Sequence, residues 1–284
     1  MNMVDLFCGC GGLSTGFEQA GFSVAFASDI DPICCDTYMK NKNISTDKIF
    51  IGDIAKLNAE YNQYSDYFQD IDLICGGPPC QGFSMANRQR LIDDPRNHLY
   101  KEFLSFLKKA KPKFFVMENV KGMLNKIDEI LKDISDILGS AYSVHYKVFN
   151  ARDFGVPQNR ERLIVIGNRL GISSVQIIED IEARCSHLPR FTLLDAISDL
   201  PELKPNHRKN STYFESNDIG FFEIVYTYKK TPFYLFINGD KELKFLYNHK
   251  NRYNNDRDIE IYTRLPQGAN SLHPSIQDII CLLY

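Results

Sequence analysis

Short apolar runs recur along the amino-terminal half of the chain, and each is followed by a glycine, a proline or an acidic residue. Runs of this length and punctuation predict buried strands of a mostly parallel sheet. The predicted strands are residues 3–7, 22–28, 49–51, 71–75, 114–117, 142–149 and 163–167. Apolar residues at helical spacing lie between several of them, as in 13–20 and 98–109. This alternation predicts an α/β fold.

The pattern weakens after Gly171. Residues 190–201 predict a short helix closed by Pro201, and the aromatic residues between 221 and 237 predict short strands. Segments 206–217 and 248–268 are polar, and we expect them to be exposed. The change in pattern predicts two parts, a domain of residues 1–185 and a smaller region of residues 186–284.

Composition narrows the class of protein. Apolar residues make up 44% of the 284 residues and charged residues 24%, which favours a packed core over disorder. The net charge of -3 does not indicate nucleic-acid binding, although a local basic face would serve. No apolar run approaches membrane-spanning length. The eight cysteines lack the regular spacing of a disulfide framework, and no signal peptide is evident. Both observations predict a protein of the reducing cytoplasm.

A glycine-rich turn follows the first predicted strand. Residues 8–12 read Cys-Gly-Cys-Gly-Gly and precede a helical pattern, which is typical of a nucleotide-binding unit. A plain tight connection between strand and helix is the alternative. Ser14 stands where a dinucleotide fingerprint has its third glycine. Cys8 with Cys10, and Cys34 with Cys35, have poor spacing for zinc, so we expect no metal.

Two aspartates follow the next predicted strands. Asp29 at the end of the second strand is placed to accept hydrogen bonds from a ribose, or alternatively to cap the following helix. Asp53 after the third strand is placed to accept from an adenine amino group, or is an ordinary turn aspartate.

A rigid turn follows the fourth predicted strand. Pro78 and Pro79 fix two φ angles and remove two backbone donors, so neither strand nor helix continues through them. Cys80 comes directly afterwards, at the carboxyl end of a strand, where open α/β sheets bind ligands. Cys80 is therefore a candidate nucleophile, and a small buried apolar residue is the alternative.

Further candidate residues lie beyond this turn. Glu118 follows the strand 114–117 and is a candidate acid or anchor, with a helix cap or a surface ion pair as alternatives. Gln158, Arg160 and Arg162 alternate, so in an extended chain they would point to one side and suit phosphate or base recognition. Residues 87–98, which include Arg88, predict a polar surface loop.

Residues 78–84 (PPCQGFS) resemble the catalytic loop of the DNA (cytosine-5) methyltransferases of bacterial type II restriction–modification systems. Motifs similar to others of that family are residues 5–12 (DLFCGCGG), 52–54 (GDI), 118–120 (ENV) and 158–162 (QNRER). The match is close over residues 3–167 and looser to residue 268. The resemblance implies a Rossmann-like S-adenosylmethionine-dependent methyltransferase fold with a partial small target-recognition domain.

The resemblance also implies an activity: methyl transfer from S-adenosyl-L-methionine to C5 of cytosine in a specific sequence of double-stranded DNA, protecting that DNA from a cognate restriction endonuclease. Cys80 would attack C6 of the base, and Glu118 would contact N3 and the exocyclic amine. Arg160 would contact the base, and Arg162 would help to align it with Cys80.

The remaining site residues follow from the same resemblance. The implied cofactor-binding residues are Phe7, Gly9, Gly11, Gly12, Asp29, Ile30, Asp53, Ile54 and Pro78. The implied DNA-binding residues are Gln81, Ser84, Arg88 and Gln158.

Three other functions stay open at this point. They are an RNA cytosine-5 methyltransferase, a catalytically inactive regulatory chain, and a dehydrogenase, which the incomplete glycine pattern disfavours. Neither the Arg-x-Leu-Thr-x-x-Glu stretch nor the Gln-x-x-Asn-x-Val segment of the family has a convincing counterpart. We therefore expect a second polypeptide that supplies these segments.

Overall fold

The computed structural model of the chain describes residues 1–79, 99–202, 221–223, 230–242, 245–247 and 253–280. The chain divides into two compact units, Met1–Arg190 and Phe191–Tyr284. The boundary predicted after residue 185 falls at the end of the last helix before this division.

Seven strands form one sheet within the described residues of the first unit. They are β1 (Asn2–Leu6), β2 (Ser23–Asp29), β3 (Ile49–Ile51), β4 (Leu73–Gly76), β5 (Phe114–Val120), β6 (Ser143–Asn150) and β7 (Glu161–Asn168). Their order is β3-β2-β1-β4-β5-β7-β6. The first five run parallel to one another, whereas β7 runs antiparallel to both β5 and β6. The predicted α/β fold with a mostly parallel sheet is confirmed.

Helices connect these strands. They are α1 (Gly12–Gln19), α2 (Pro32–Lys42), α3 (Ile54–Ala59), α4 (Leu99–Ala110), α5 (Ile127–Leu138) and α6 (Ser174–Cys185). The start of α2 shows how the chain changes from strand to helix after β2. Asp31 accepts hydrogen bonds from two backbone N–H groups of the first turn, and Pro32 supplies a φ angle suited to it. Lys40 and Lys42 then lie in the last turn, where they complement the helix dipole.

The hydrophobic core has two parts, one on each face of the sheet. Phe26 and Ala27 are consecutive and buried, so their side chains point to opposite faces of β2. Phe26 belongs to the larger cluster, which also contains Phe103 of α4 and Ile130 of α5. Ala27 belongs to a smaller cluster with Tyr38 of α2. The sheet is therefore covered on both faces, as a mostly parallel sheet requires.

Aromatic rings dominate the larger cluster. Phe68 packs edge-on against Phe26 and Phe106, with ring centroids 5.1 and 4.9 Å apart. Close packing also fixes Gly167 on β7, because a Cβ atom there would lie 2.1 Å from the ring of Phe115. Burial of rings on this scale contributes several kcal/mol, since truncation of a buried phenylalanine to alanine typically costs about 3–5 kcal/mol.

The second unit contains short elements. They are α7 (Leu193–Ile197), β8 (Phe221–Glu223), α8 (Pro232–Asn238), β9 (Phe245–Tyr247), α9 (Asp256–Arg264) and α10 (Gln277–Ile280). The short helix predicted within residues 190–201 is confirmed as α7.

The prediction of strands throughout residues 221–237 is wrong for part of that range. Residues 221–223 form β8, but α8 occupies 232–238. Thr231 caps this helix by accepting from the N–H of Tyr234 at 3.1 Å, and Pro232 fits its first turn. Phe233 and Phe236 are one helical turn apart and both pack against Phe191, so aromatics that suggested strands serve a helix face instead.

Across the described parts of the chain, no helix combines the length and the apolar character needed to cross a membrane.

Candidate active site

The carboxyl ends of β1, β2, β3 and β4 surround a cavity of about 550 Å³. Five of the predicted cofactor-binding residues line it, namely Phe7, Asp29, Ile30, Asp53 and Ile54. It is also lined by residues that the sequence analysis did not assign to cofactor binding, namely Ser28, Gly52, Gly77, Pro79 and Leu99. Gly9, Gly11, Gly12 and Pro78 are not among its lining residues. The site thus lies where open α/β sheets bind ligands.

Asp29 joins the glycine turn to the start of α2. Its Oδ2 accepts from the N–H of Gly9 at 2.8 Å, and its Oδ1 accepts from the N–H of Asp31 at 2.9 Å. The alternative that Asp29 caps the following helix is wrong, because Asp31 is the cap. Each carboxylate oxygen has a further lone pair, so Asp29 can still accept from a bound ligand.

Asp53 has a structural role as well as a place in the cavity wall. Its Oδ1 accepts from the N–H of Ala55 at 2.8 Å, which caps α3. The turn alternative for Asp53 is therefore present in the structure, and one carboxylate oxygen remains for the cavity.

The glycine turn requires glycine at position 11. Gly11 has φ of 88°, a left-handed conformation that side chains rarely adopt. A Cβ atom there would also lie 2.7 Å from Cε of Lys42 and 3.0 Å from the ring of Tyr38. Gly12 opens α1 and has open space around it. The glycine turn is thus held against α2.

A buried polar group lies beneath this turn. The hydroxyl of Tyr38 is 3.2 Å from Oδ2 of Asp5 and 3.0 Å from Oγ of Ser14. The Ser14 hydroxyl donates to the carbonyl of Gly11 at 3.2 Å, and the Cys75 thiol donates to Oδ1 of Asp5 at 3.6 Å. These bonds connect β1, α2 and β4 to the glycine turn.

Electrostatics at this polar group follow from its burial. Only 1% of Asp5 is exposed, and burial raises the pKa of its carboxyl from 3.8 to about 6, although hydrogen bonds from Ser14, Tyr38 and Cys75 oppose the shift. Burial, followed by the nearby charge of Asp5, raises the pKa of Tyr38. The sequence analysis missed Tyr38, because nothing in a helical pattern marks a tyrosine whose hydroxyl points at a strand 33 residues earlier.

Glu118 lies at the end of β5, beside the end of β4. A Cβ atom on Gly77 would come within 3.0 Å of Oε2 of Glu118, so glycine leaves room for the carboxylate. Oε1 of Glu118 lies 2.7 Å from Nε of Arg162 on β7. The helix-cap alternative for Glu118 is wrong, since Val120 precedes the next turn of helix, Lys121–Lys126. The structure brings two predicted catalytic residues together.

Asn119 is a second residue that the sequence analysis did not assign. Its side chain is buried and donates from Nδ2 to the carbonyl of Pro78 at 2.8 Å. Its Oδ1 accepts from the N–H of Val120 at 2.9 Å. The sequence signal that could have identified Asn119 is a polar residue within an apolar strand. A buried polar side chain needs a hydrogen-bond partner. Asn119 fixes the turn that leads to Cys80.

Gln158, Arg160 and Arg162 line the same cavity, but the prediction that an extended chain brings them to one side is wrong. Residues 158–160 form tight turns, with the N–H of Gln158 bonded to the carbonyl of Val156 at 2.7 Å and the N–H of Arg160 bonded to the carbonyl of Gln158 at 3.1 Å. The strand β7 begins only at Glu161. All five residues from 158 to 162 line one polar cavity of about 710 Å³.

Four predicted site residues lie outside the described residues, namely Cys80, Gln81, Ser84 and Arg88. Within the described ranges, no group of three or more histidine, cysteine, aspartate or glutamate side chains is arranged to hold a metal ion. Cys8, Cys35 and Cys75 are buried and free.

Comparison with known proteins identifies relatives of the whole arrangement. A family model described as C-5 cytosine-specific DNA methylase matches residues 1–277. The type II methyltransferase M.AquIA of Picosynechococcus sp. is 41% identical over 226 residues, which cover 72% of this chain and 90% of that protein. M.FnuDI of Fusobacterium nucleatum is 41% identical over 217 residues, covering 75% of this chain and 59% of that protein.

A solved structure has a similar fold. It is a prophage-encoded E. coli protein assigned as a DNA modification methyltransferase, with a TM-score of 0.62 and 31% identity. The similarity covers 79% of this chain and 60% of that one. The chain therefore spans roughly three fifths of M.FnuDI and of the solved protein, but nearly all of M.AquIA.

Proposed function

Because the chain belongs to the C-5 cytosine-specific DNA methylase family, we propose that it methylates C5 of cytosine in double-stranded DNA. The observation that carries this proposal is the pairing of Glu118 with Arg162 beside Gly77. From Gly77 the chain leads through two prolines to Cys80. A carboxylate, a guanidinium and the approach to a thiol thus converge at neighbouring strand ends.

The proposed chemistry begins at Cys80. C5 of cytosine is a poor nucleophile while the ring is aromatic, so the Cys80 thiolate first forms a bond to C6. Electron density then moves towards C5, and Glu118 stabilises that shift by holding N3, while Arg160 contacts the base. S-adenosylmethionine, when bound, would supply the methyl group to C5 and would be left as a neutral thioether. The C5 proton is then lost to a base, and the bond between C6 and the Cys80 sulfur breaks. The ring and the free thiolate are thereby restored.

The base must leave the helix for this reaction, since C5 and C6 are inaccessible within stacked DNA. Gln81, Ser84, Arg88 and Gln158 are proposed to contact the DNA around the extruded nucleotide. Gln158 is supported by its place in the polar cavity beside Arg160 and Arg162.

The cavity at the strand ends fits S-adenosylmethionine, which supplies a sulfonium-bound methyl group when bound. Its volume of about 550 Å³ is typical of cofactor sites. Asp29 is proposed to accept from the ribose hydroxyls and Asp53 from the adenine amino group. Phe7, Ile30 and Ile54 provide apolar walls for a flat ring. Gly9, Gly11, Gly12 and Pro78 are proposed to shape the backbone around the cofactor.

Transfer of labelled methyl groups to DNA tests the function directly. The full chain would be incubated with tritiated S-adenosylmethionine and either duplex DNA or tRNA. We expect label in DNA as 5-methylcytosine and its loss in Cys80→Ser, because removal of a nucleophile typically costs several orders of magnitude. Label in tRNA alone would contradict the proposal.

A covalent trap gives independent support. DNA containing 5-fluorocytosine should form a stable adduct with the protein, since fluorine at C5 cannot leave as a proton does. Cys80→Ser should form no adduct. An adduct that persists in that variant would contradict Cys80 as the nucleophile.

We also propose that a second polypeptide covers the cofactor end of the sheet. Ile33 of α2 is 76% exposed, and Ile51, the last residue of β3, is 46% exposed. Exposed apolar side chains near a binding cavity favour association with a partner. Full methylation by the purified chain alone would contradict this proposal, whereas slow or absent methylation by a folded chain that still binds the cofactor would support it.

The names of the relatives support a biological setting. Both M.AquIA and M.FnuDI are called type II methyltransferases. We propose that this chain acts in the cytoplasm and protects DNA from a paired restriction endonuclease.

A further inference from the structure

A polar cavity lies beside the Glu118–Arg162 pair, between the turn of helix Lys121–Lys126 and the segment that leads into β7. Its volume is about 710 Å³. Cationic side chains line it from both segments, namely Lys121, Arg160 and Arg162. Among the described residues that line it, the one carboxylate is that of Glu161. The cavity thus carries an excess of positive charge on a chain whose net charge is negative.

The ion pairs within the cavity leave one cation for a ligand. Arg162 is bound to Glu118, and Lys121 lies 2.8 and 3.0 Å from the two carboxylate oxygens of Glu161. No carboxylate within the described ranges pairs with Arg160, which is exposed. The pair of Lys121 with Glu161 is itself 55% and 44% exposed, so water competes for both partners. An exposed pair of this kind contributes little stability and is easily exchanged.

The cavity wall is held in place by a hydrogen-bond network. Oδ1 of Asn150, the last residue of β6, accepts from the N–H of Arg160 at 3.2 Å. Nδ2 of Asn150 donates to Oδ1 of Asn159 at 2.5 Å, and the carbonyl of Arg160 accepts from Ala151 at 2.9 Å. The backbone that carries Arg160 is therefore fixed to an edge strand. A side chain on a fixed backbone loses less entropy when it binds a ligand.

We propose that Lys121 binds a DNA phosphate that flanks the methylated nucleotide, beside the base contact of Arg160, and that Lys121 stays paired with Glu161 until that phosphate replaces the carboxylate. This inference rests on the proposed function. Lysine and arginine are the usual phosphate ligands, and a phosphate carries negative charge that can substitute for a carboxylate. Contacts to phosphates position DNA without reading its sequence. Lys121 should accordingly strengthen binding to all DNA sequences alike.

Salt dependence of DNA binding separates this role from others. The full chain, with its partner polypeptide if one is required, would be titrated with a fluorescein-labelled duplex of mixed sequence at a series of salt concentrations. Lys121→Gln should bind roughly three- to tenfold more weakly at low salt, and its plot of log affinity against log salt should be shallower by about 0.9. Glu161→Gln should bind DNA more tightly than the wild type, because Lys121 then has no carboxylate at residue 161 that competes with the phosphate.

Lys126→Gln is the matched control. Lys126 lies on the same turn of helix, pairs with Glu129 at 2.7 Å and does not line the cavity. If Lys121→Gln and Lys126→Gln both bound DNA with equal salt slopes, the phosphate contact of Lys121 would be contradicted. The proposed function would not be affected by that result. Weaker binding by Glu161→Gln would overturn the exchange. If the wild type bound no duplex at all, the proposed function and this inference would fail together.

Discussion

Nε of Arg162 lies 2.7 Å from Oε1 of Glu118, across the antiparallel pair of β5 and β7. Their side chains are 26% and 30% exposed, so the pair is partly withdrawn from water. The register places Arg162 opposite Val120, two residues beyond Glu118, and the long arginine side chain spans that offset. A guanidinium in this place fixes the carboxylate that is proposed to hold the cytosine ring.

Replacing Arg162 with alanine should lower the rate of methylation about 10- to 100-fold, because a hydrogen bond to a charged group typically contributes about 1.5–3 kcal/mol. Cofactor affinity should change little. Single-turnover methylation would measure the rate. Arg184→Ala, an exposed position on α6, is the control and should retain the wild-type rate.

Replacing Asn119 with alanine should slow formation of the 5-fluorocytosine adduct more than it weakens cofactor binding. The substitution leaves the carbonyl of Pro78 without its buried donor and frees the turn before Cys80. Asn58→Ala removes another buried asparagine, which donates to Glu102 instead, and serves as the control. Equal adduct rates in the two variants would show that Asn119 acts through general stability only.

Asp29 and Asp31 should separate cofactor binding from helix capping. We expect Asp29→Ala to weaken S-adenosylmethionine binding about 10- to 100-fold, through loss of a charge-assisted bond and release of Gly9. Asp31→Ala removes the cap of α2 and should cost about 1 kcal/mol of stability with little loss of cofactor affinity. Calorimetry and urea unfolding measure the two quantities, and unchanged cofactor affinity in Asp29→Ala would contradict its role.

Asp5 should make folding stability depend on pH in an unusual direction. Its pKa is raised by burial from 3.8 to about 6, so the folded state keeps a proton that the unfolded state has lost. The stability associated with this group is fully present below pH 3.8 and is lost as pH rises towards about 6. The loss is on the order of 3 kcal/mol.

Asp5→Asn should remove that dependence. Relative to the wild type, the variant should become more stable as pH rises from about 4 to about 6, as measured by urea unfolding at each pH. Taking the difference between the two proteins cancels carboxylates whose pKa values are lowered, such as Asp72 beside Lys113. A difference that stays constant with pH would show that Asp5 ionises normally.

Sequence pattern predicted those parts of the fold that depend on neighbouring residues. The strands were placed within two or three residues of their observed bounds, because apolar runs and their glycine or proline ends are local signals. Gly11 was predictable for the same reason, since a tight turn between strand and helix demands an unusual backbone. Glu118 and Asp29 were placed at strand ends from position alone.

Other features depend on register and on distant partners. Asn119 contacts Pro78 and Tyr38 contacts Asp5 across 41 and 33 residues of sequence, which no local pattern contains. In an extended chain only every second residue of 158–162 would face one side. The observed chain makes successive turns instead, which bring Asn159 and Glu161 into the same cavity as the other three residues. The aromatic residues of α8 fit a strand pattern, but they lie on a helix, where Phe233 and Phe236 pack against Phe191. Aromatic residues alone do not distinguish the two structures, because either can bury them.

The position of β1 in the middle of the sheet has a consequence during protein synthesis. One edge of β1 pairs with β2, but its other edge pairs with β4, and the hydrogen bond that joins Asn2 to Asp72 links residues 70 apart in sequence. At a translation rate of roughly 5–20 residues per second, β4 is synthesised about 4 to 14 seconds after β1. Met3, Val4 and Leu6 are fully buried in the finished protein. During synthesis, one edge of β1 therefore has no partner strand for several seconds. We expect a chaperone to bind the nascent chain at this strand during that interval.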